Sequence, residues 1–187
     1  MIIEAARSVI GDQGLFATTL RDVARASDVA LGTVTYHFDG IDAVLAGVLA
    51  EEMVAFSGPI MATAREAPTG ADGLDTIVDG LLGLHDRATQ HWRLWLDFWA
   101  LAAHVPRYGA WQSEIYRNLH DLVAELMRRG QGDNSLVSDT SLVIVDPARQ
   151  AIEFVALLDG LVVQCYLPHP RLSVDRARAI LKDYLRR

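Results

Sequence analysis

The sequence lacks the features that would stabilise a small secreted protein or carry it across a membrane. Cys165 is the only cysteine among 187 residues, so no disulfide can form within the chain. No apolar run reaches the roughly 18 residues that a membrane-spanning helix needs, and the N-terminus lacks the segments of a signal peptide. The 17 basic residues are outnumbered by 24 acidic ones. We therefore expect a soluble, cytoplasmic globular protein whose net charge argues against a nucleic-acid partner.

Motifs for catalysis and metal binding are also missing. The sequence has no Gly-x-Ser-x-Gly, no phosphate-binding loop of the Walker type and no glycine-rich dinucleotide turn. His85, His91 and His104 are not spaced one helical turn apart, and no cysteine accompanies them. We expect no metal, no cofactor and no enzymatic activity. A hydrolase whose His and Asp side chains assemble only in three dimensions is the alternative class, which screening for substrate turnover would detect.

Helical periodicity is the main signal that the sequence does carry. Apolar residues recur at steps of three and four, as in Leu45, Leu49 and Met53, whereas strict alternation is nearly absent. This pattern predicts an all-α fold. Predicted helices are short up to about residue 46 and longer afterwards, so we expect a small domain over 1–46 and a larger helical domain over 47–187. The sequence Ser-Gly-Pro at 57–59 predicts an interruption of the fourth helix.

Two short helices joined by a tight polar turn are predicted between residues 18 and 38. Thr19 and Asp22 have the spacing of a capping box at the start of the first helix. In the second helix, from about residue 30 to 37, Val34 faces inward. The other positions carry hydroxyls, an imidazole and a glycine, which suit contacts with phosphates and base edges. The pattern indicates a helix-turn-helix, although a helical hairpin with a polar outer face is equally compatible.

Residues 18–24 (TTLRDVA) and 29–38 (VALGTVTYHF), followed by 42–45 (DAVL), resemble the DNA-binding signature of the tetracycline-repressor (TetR) family. The resemblance implies an N-terminal helix-turn-helix head on a helical body that binds a small-molecule effector and forms a homodimer. It also implies ligand-responsive repression at a palindromic double-stranded DNA operator. A helical ligand-binding or interaction protein that has lost DNA binding is the alternative. The resemblance and the pattern together assign the DNA contacts to Thr18, Thr19, Arg21, Leu31, Gly32, Thr33, Thr35, Tyr36 and His37.

Several positions depart from the family's usual residues. Asp28 stands where glycine is common, Ala30 replaces the serine that caps the second helix, and Thr35 replaces an aromatic residue. Ile41 stands where a lysine often lies near the phosphate backbone. Residues 1–46 also contain three basic and six acidic side chains, which gives little counterion release on binding DNA. We therefore expect modest, salt-sensitive affinity for each head, with specificity that depends on two heads.

Aromatic residues are concentrated in the middle of the chain, and all four tryptophans lie between residues 92 and 111. A hydrophobic core could use them, but a cavity between helices with aromatic walls and a few polar groups would also account for them. We expect an effector pocket. Its candidate lining residues are Phe56, Met61, His85, Trp95, Phe98, Trp99, Trp111 and Tyr116.

Two apolar stripes near the C-terminus have the spacing of helix-packing faces. Two such helices from each of two chains could form a four-helix interface with twofold symmetry, whereas part of each stripe could instead pack on its own body. The residues assigned to an interface between two chains are Phe154, Leu158, Leu161, Cys165, Val174, Ala177 and Leu181.

Overall fold

The protein is all-α, as the periodicity predicts, and a computed structural model describes residues 1–83, 86–136 and 146–186. No strand occurs in these three ranges. In chain order the elements are α1 (Ile2–Gln13), α2 (Leu20–Ala26), α3 (Leu31–His37), α4 (Ile41–Glu52), a π-helical turn (Met53–Ser57), α5 (Gly58–Glu66), α6 (Gly70–Leu81), α7 (Asp86–Ala102), α8 (Pro106–Gly132), α9 (Pro147–Tyr166) and α10 (Val174–Leu185).

Helices α1 to α3 and the start of α4 form a small head. The predicted capping box is present at α2: the Asp22 N–H donates to the Thr19 hydroxyl, and the Thr19 N–H donates to the Asp22 carboxylate. Asp28 adopts a left-handed φ of 53°, which turns the chain between α2 and α3. Ala30 begins α3 without a side-chain cap. The buried side chains that the three helices direct into one apolar core include Ala6, Ile10, Val23, Ala24 and Val34.

α4 crosses the predicted domain division at residues 46 and 47 and continues into the body. The π-helical turn follows it, and the Gly58 N–H donates to the Met53 carbonyl oxygen five residues earlier. Pro59 lies in the first turn of α5, where a proline ring is tolerated. The predicted interruption at 57–59 therefore takes the form of a widened turn, and the helical run Ile41–Glu66 does not break.

Among the described residues, the run Ile41–Glu66 is the one helix that is long and apolar enough to cross a membrane, with a mean hydropathy of 1.5. Its length and composition are the only grounds for that possibility. Val44, Val48 and Leu49 of this run are fully buried in the core of the protein. Burial of this kind is typical of a core helix, so the run is not a clear membrane span.

Helices α6 to α10 form the body around the long helix α8. α8 packs against α6, α7 and α9, and α10 lies against α6 and α9. Arg178 and Lys182 of α10 both bind the Asp79 carboxylate of α6, at 2.7 and 2.8 Å. These ion pairs lower the pKa of the Asp79 carboxyl, although partial burial opposes them. α10 is thereby fixed to the body by charge as well as by apolar packing.

Gly70→Ala is expected to lower the free energy of unfolding by about 2–4 kcal/mol. A Cβ at this position would lie 2.1 Å from the Gly130 nitrogen and 2.4 Å from the Leu126 carbonyl oxygen, so α6 and α8 would have to separate. Gly11→Ala is the matched control, because no atom lies within 4 Å of its added Cβ. Higher helix propensity should make that variant more stable by about 0.5–1 kcal/mol. Urea unfolding measures both changes, and a stable Gly70→Ala protein would contradict the close approach.

Candidate functional site

The outer surface of the head is formed by α3. Val34 is fully buried, whereas the other six residues of this seven-residue helix are exposed. Tyr36 is 85% exposed and its ring meets the His37 ring edge to face at 5.1 Å. The predicted contact residues on this helix therefore lie together on one short protruding surface, and they are Leu31, Gly32, Thr33, Thr35, Tyr36 and His37.

The other three predicted contact residues lie at the start of α2 in different environments. The Thr18 side chain is buried and its hydroxyl donates to the Gly14 carbonyl oxygen at 2.8 Å, so it stabilises the preceding turn. Thr19 is exposed, but its hydroxyl is engaged by the Asp22 carboxylate at 2.6 Å. Arg21 is exposed on α2. Thr18 is thus less accessible to a ligand than the sequence pattern suggested.

Two of the three basic side chains in the head are engaged by carboxylates of the same chain. Arg25 pairs with Asp22, and Arg7 Nη1 lies 3.0 Å from Glu52 Oε2. These pairs reduce the positive charge available to a phosphate backbone below what the composition alone indicates. Arg21 is left as the principal basic contact that the head can offer.

A cavity of about 130 Å³ lies between the π-helical turn, α7, α8 and α9. A cavity of roughly 150 Å³ holds benzene, so this one suits a small organic molecule. Its walls are aromatic on the α7 side, where the Trp92 and Trp99 ring centroids are 6.4 Å apart. The residues that line it include Met53, Ser57, Met61, Arg65, His91, Trp92, Trp95, Trp99, Gln112, Tyr116, Leu158 and Asp159.

A carboxylate from α9 reaches this largely apolar cavity. The Tyr116 hydroxyl donates to Asp159 Oδ2 at 2.7 Å. Burial raises the pKa of the Asp159 carboxyl to about 6, even though the hydrogen bond from Tyr116 lowers it. The pKa of Tyr116 is also raised, by burial and by the neighbouring carboxylate. None of the ion pairs within the described residues includes Asp159, so the carboxylate faces the cavity without a basic partner of its own.

Half of the predicted pocket residues line this cavity, and the others lie elsewhere. Phe56 lies behind the wall, where its ring stacks on His91 at 3.9 Å. Phe98 is fully buried and meets Trp111 edge to face at 5.4 Å, so both belong to the core beside the cavity. His85 lies outside the described residues. The predicted residues that do line the cavity are Met61, Trp95, Trp99 and Tyr116.

Sequence reasoning missed the charged member of the cavity. Asp159 follows Leu158 in an apolar stretch of α9, and an acidic residue inside such a stretch is a signal of a buried polar function. The sequence pattern indicates His91 only as a candidate metal ligand. In the described ranges no group of three His, Cys, Asp or Glu side chains could hold a metal ion.

A chain of polar and charged groups joins the cavity to the head. His91 Nδ1 lies 3.0 Å from Glu52 Oε1, and Glu52 pairs in turn with Arg7 of α1. Glu52 is 4% exposed and His91 is 2% exposed, so solvent screens this contact only weakly. The His91 ring is stacked between Phe56 and Trp95. His91 therefore belongs both to the cavity wall and to the contact that holds α1.

Two further hydrogen bonds attach the head to the body. The Leu15 N–H, after α1, donates to Asp97 Oδ2 of α7 at 2.9 Å. The Tyr108 hydroxyl of α8 donates to the Asp42 carbonyl oxygen at 2.9 Å, and Arg107 pairs with the Asp42 carboxylate at 2.6 Å. The head is thus held at three separate points on α7 and α8, and its orientation depends on the positions of those helices.

The apolar stripes predicted to join two chains are directed into the body of the same chain. Val174 is partly buried and the other six predicted interface residues are buried. Leu158 also lines the cavity. These side chains therefore contact their own core, because the period of a buried stripe is the same whichever helix covers it. The buried six are Phe154, Leu158, Leu161, Cys165, Ala177 and Leu181.

Two family models match the chain. Residues 2–48 match the bacterial regulatory proteins of the tetR family, and residues 70–187 match the C-terminal region of BetI-type transcriptional repressors. The HTH-type transcriptional regulator BetI of Rhizobium meliloti is 24% identical over 185 residues, which cover 98% of this chain and 85% of that protein. BetI of Escherichia coli K12 is 22% identical over 187 residues, which cover 98% of this chain and 90% of that protein.

Solved structures share the fold. A putative transcriptional regulator from Saccharomonospora viridis, in complex with choline, superposes with a TM-score of 0.85 at 23% identity, covering 98% of this chain and 93% of that one. A TetR transcription regulator from Haloarcula marismortui gives a TM-score of 0.84 at 17% identity, and the match covers 98% of this chain and 94% of that one. The likeness extends over the head and the body together.

Proposed function

The chain belongs to the TetR family of helix-turn-helix transcriptional regulators, with a C-terminal region of the BetI type, and we propose that a small quaternary ammonium compound is the effector that releases it from DNA. Regulators of this family bind DNA, and the family gives no reason to expect an enzyme. The observation that supports this effector class is the Asp159 carboxylate in an aromatic cavity. A regulator of this kind would act in the cytoplasm.

The head would read DNA with α3 in the major groove. Its exposed hydroxyls and the Tyr36 and His37 rings can reach phosphates and base edges, and Gly32 allows close approach of the backbone. With three basic side chains, two of them engaged by carboxylates, each head would bind weakly. Two heads on one near-palindromic operator would then be needed for useful affinity.

The cavity would hold the effector by its positive charge. A quaternary ammonium group cannot donate hydrogen bonds, and proteins bind it with aromatic faces and a nearby carboxylate. Trp92, Trp95, Trp99 and Tyr116 provide the faces, and Asp159 provides the charge. Choline, which is bound in the structurally similar regulator from Saccharomonospora viridis, is of a size that suits about 130 Å³. We therefore take choline as the first compound to test.

The structural change caused by effector binding would be transmitted to the head through His91. An occupant of the cavity contacts its wall, where His91 is stacked on Trp95. A displacement of His91 changes its contact with Glu52 and hence the ion pair that Glu52 makes with Arg7. The effector needs only to bind better to the state in which the heads are wrongly spaced for the operator.

The protein would act as a homodimer that uses the exposed face of α9. Ile152 is 54% exposed and Leu167, just after the helix, is 48% exposed. Gly160 lies between them on the surface with no atom within 4 Å of an added Cβ, so a helix from a second chain can cross closely. Sedimentation velocity tests this proposal: a particle of twice 20.5 kDa supports it and one of 20.5 kDa contradicts it.

The test of the proposed function is release of a DNA duplex by choline. A duplex selected from a random library should bind the full chain more tightly than a random duplex at low salt, as measured by fluorescence anisotropy. Added choline should lower the bound fraction of the selected duplex, while the same concentration of sodium chloride should have a smaller effect.

Each other outcome of this titration contradicts a separate part of the proposal. A selected duplex that stays bound in saturating choline would contradict choline as the releasing effector. Choline binding in a protein that shows no duplex preference would favour the alternative, a ligand-binding protein that has lost DNA binding.

A further inference from the structure

The exposed surface of α3 has two sides of different chemistry. Successive residues of an α-helix are about 100° apart around its axis, and Val34 faces the core. Gly32 and Tyr36 therefore project most directly outward, and Tyr36 is 85% exposed. Leu31 and Thr35 are one turn apart, so they lie next to each other on one side of this outward line. We call this pair the Leu31–Thr35 flank.

The side chains of the Leu31–Thr35 flank offer apolar surface and no free hydrogen-bond donor. Leu31 is a large apolar side chain that is 39% exposed. The Thr35 hydroxyl donates back to the carbonyl oxygens of Leu31 and Gly32, at 3.3 and 3.2 Å. Its only hydroxyl hydrogen is thereby used within the helix, so Thr35 presents its methyl group. The opposite side of α3 carries a hydroxyl and an imidazole, from Thr33 and His37.

The major groove of DNA offers one apolar group to such a surface. Every base pair displays hydrogen-bond donors or acceptors there, and thymine alone adds a C5 methyl group. A leucine placed against a donor or an acceptor would bury that polar group without a partner. Placed against a methyl group, it removes apolar surface of both molecules from water. The flank therefore favours thymine over the other three bases.

The position of Leu31 in the head suits contact with base edges. It is the first residue of α3, and the first residues of a recognition helix are those that contact the bases. Gly32 adds no side chain beside it, and no atom lies within 4 Å of an added Cβ at that position. Arg7 and Arg25 are engaged by carboxylates, so phosphate contacts supply little of the affinity. Contacts with base edges must supply more of it.

Building on the proposed placement of α3 in the major groove, we propose that Leu31 and Thr35 determine specificity by contacting the methyl groups of thymines in each half-site of the operator. Leu31 packs against one thymine methyl group, and the Thr35 methyl group packs against the same thymine or its neighbour. The group recognised is the methyl itself, so thymine is distinguished from uracil as well as from the other bases of DNA.

The experiment removes thymine methyl groups one position at a time. In the selected duplex, each thymine of a half-site is replaced by deoxyuridine, at matching positions of both half-sites, which leaves base pairing unchanged. Fluorescence anisotropy on the full chain at one fixed salt concentration gives each Kd. At one thymine position or more, the wild-type protein should bind about 10- to 20-fold more weakly, since each of the two methyl groups lost reduces the affinity about fourfold.

A double variant and one control connect this loss to the flank. Leu31→Ala/Thr35→Ser should bind the thymine and deoxyuridine duplexes within about twofold of each other at every position. The serine keeps the hydroxyl that bonds within α3, so only apolar atoms are removed. Thr33→Ser is the matched control, because it removes the same methyl group from the opposite side of the helix and should keep the wild-type ratio. Circular dichroism verifies that each variant is folded.

The outcomes separate this inference from the proposed function. A selected duplex that binds tightly but tolerates deoxyuridine at every thymine, or has no thymine in its half-sites, would overturn the methyl contact while leaving the DNA-binding head intact. A loss that persists in Leu31→Ala/Thr35→Ser, or that disappears in Thr33→Ser, would also overturn it. If no duplex is preferred over a random one, the proposed DNA binding fails and this inference fails with it.

Discussion

Asp159→Asn is expected to weaken choline binding on the order of 100-fold, because removing one partner of a poorly solvated charge pair has an effect of that size. The asparagine has the same shape as the aspartate, and its oxygen can still accept the hydrogen bond from Tyr116. The aromatic walls are unchanged, so the lost affinity reports the charge alone. Calorimetric titration at pH 7.5 measures the difference, and unchanged affinity would exclude Asp159 as the counter-charge.

The affinity of the wild-type protein for choline should also depend on pH. The carboxylate binds the cation in its ionised form, and burial raises the pKa of Asp159 to about 6. Affinity should therefore fall as the pH is lowered through 6. His91 and Arg65 also line the cavity. Asp159→Asn should show a weaker pH dependence, whereas an identical profile in both proteins would assign the effect to other groups.

The same substitution should make the protein without effector more stable at pH 7. The pKa of Asp159 is about 6 in the folded protein against an ordinary value of 3.8, so the folded state binds more protons between these values. Stability therefore falls as the pH rises through this window, and the ionised carboxylate is destabilising at neutral pH. Asp159→Asn should recover roughly 1–3 kcal/mol.

Asp79→Asn is the control for this stability effect, because it is expected to lower the stability that Asp159→Asn raises. Lys182 and Arg178 hold the pKa of the Asp79 carboxyl below its ordinary value, so its ionised form stabilises the fold above that pKa. The variant should melt at a lower temperature than the wild-type protein. If both substitutions changed the melting temperature in the same direction, the assignment of Asp159 as a strained buried acid would be wrong.

The double variant Tyr36→Ala/His37→Ala is expected to lose at least about 100-fold in affinity for the selected duplex, since each base or phosphate contact contributes about 1–3 kcal/mol and each head loses two. Both side chains are exposed at the end of α3 and neither belongs to the core of the head, so folding should be unaffected. Fluorescence anisotropy measures the affinity, and sedimentation velocity verifies that the oligomeric state is unchanged.

A double variant at the far end of the body serves as its control. Asp121 and Arg128 are exposed on the C-terminal half of α8, and the N-terminal end of this helix contacts the head through Tyr108. Replacing both by alanine removes one charge of each sign and should leave duplex affinity within about twofold. Equal losses in the two double variants, or no loss in Tyr36→Ala/His37→Ala, would contradict the assignment of α3 to the DNA interface.

The head could be read from sequence because its determinants are local. Thr19 and Asp22 cap α2 within three residues, and one inward residue, Val34, orients the whole of α3. The exposure of Tyr36 and His37 follows from that orientation. Thr18 is the exception: its hydroxyl turns back to the Gly14 carbonyl, a contact that no periodicity predicts.

The sequence predicts only part of the cavity lining, because the walls come from segments that are distant along the chain. Aromatic density identified Trp95 and Trp99, but the counter-charge comes from Asp159 on a different helix. The spacing of the apolar stripe around it predicts a contact between two chains. Periodicity identifies which face of a helix is covered and cannot identify the helix that covers it, so the assignment of Leu158 needed the fold.

The π-helical turn at Met53–Ser57 makes the orientation of the head sensitive to the number of residues in this segment. It contains one residue more than a regular turn, and each residue of an α-helix rotates the chain by about 100°. The rotation of the head about the shared axis of α4 and α5 therefore depends on the number of residues in this segment. Substitutions in this segment leave that angle in place, whereas an insertion or deletion of a single codon resets it. The angle between the two functional regions thus depends on the number of residues that separate them.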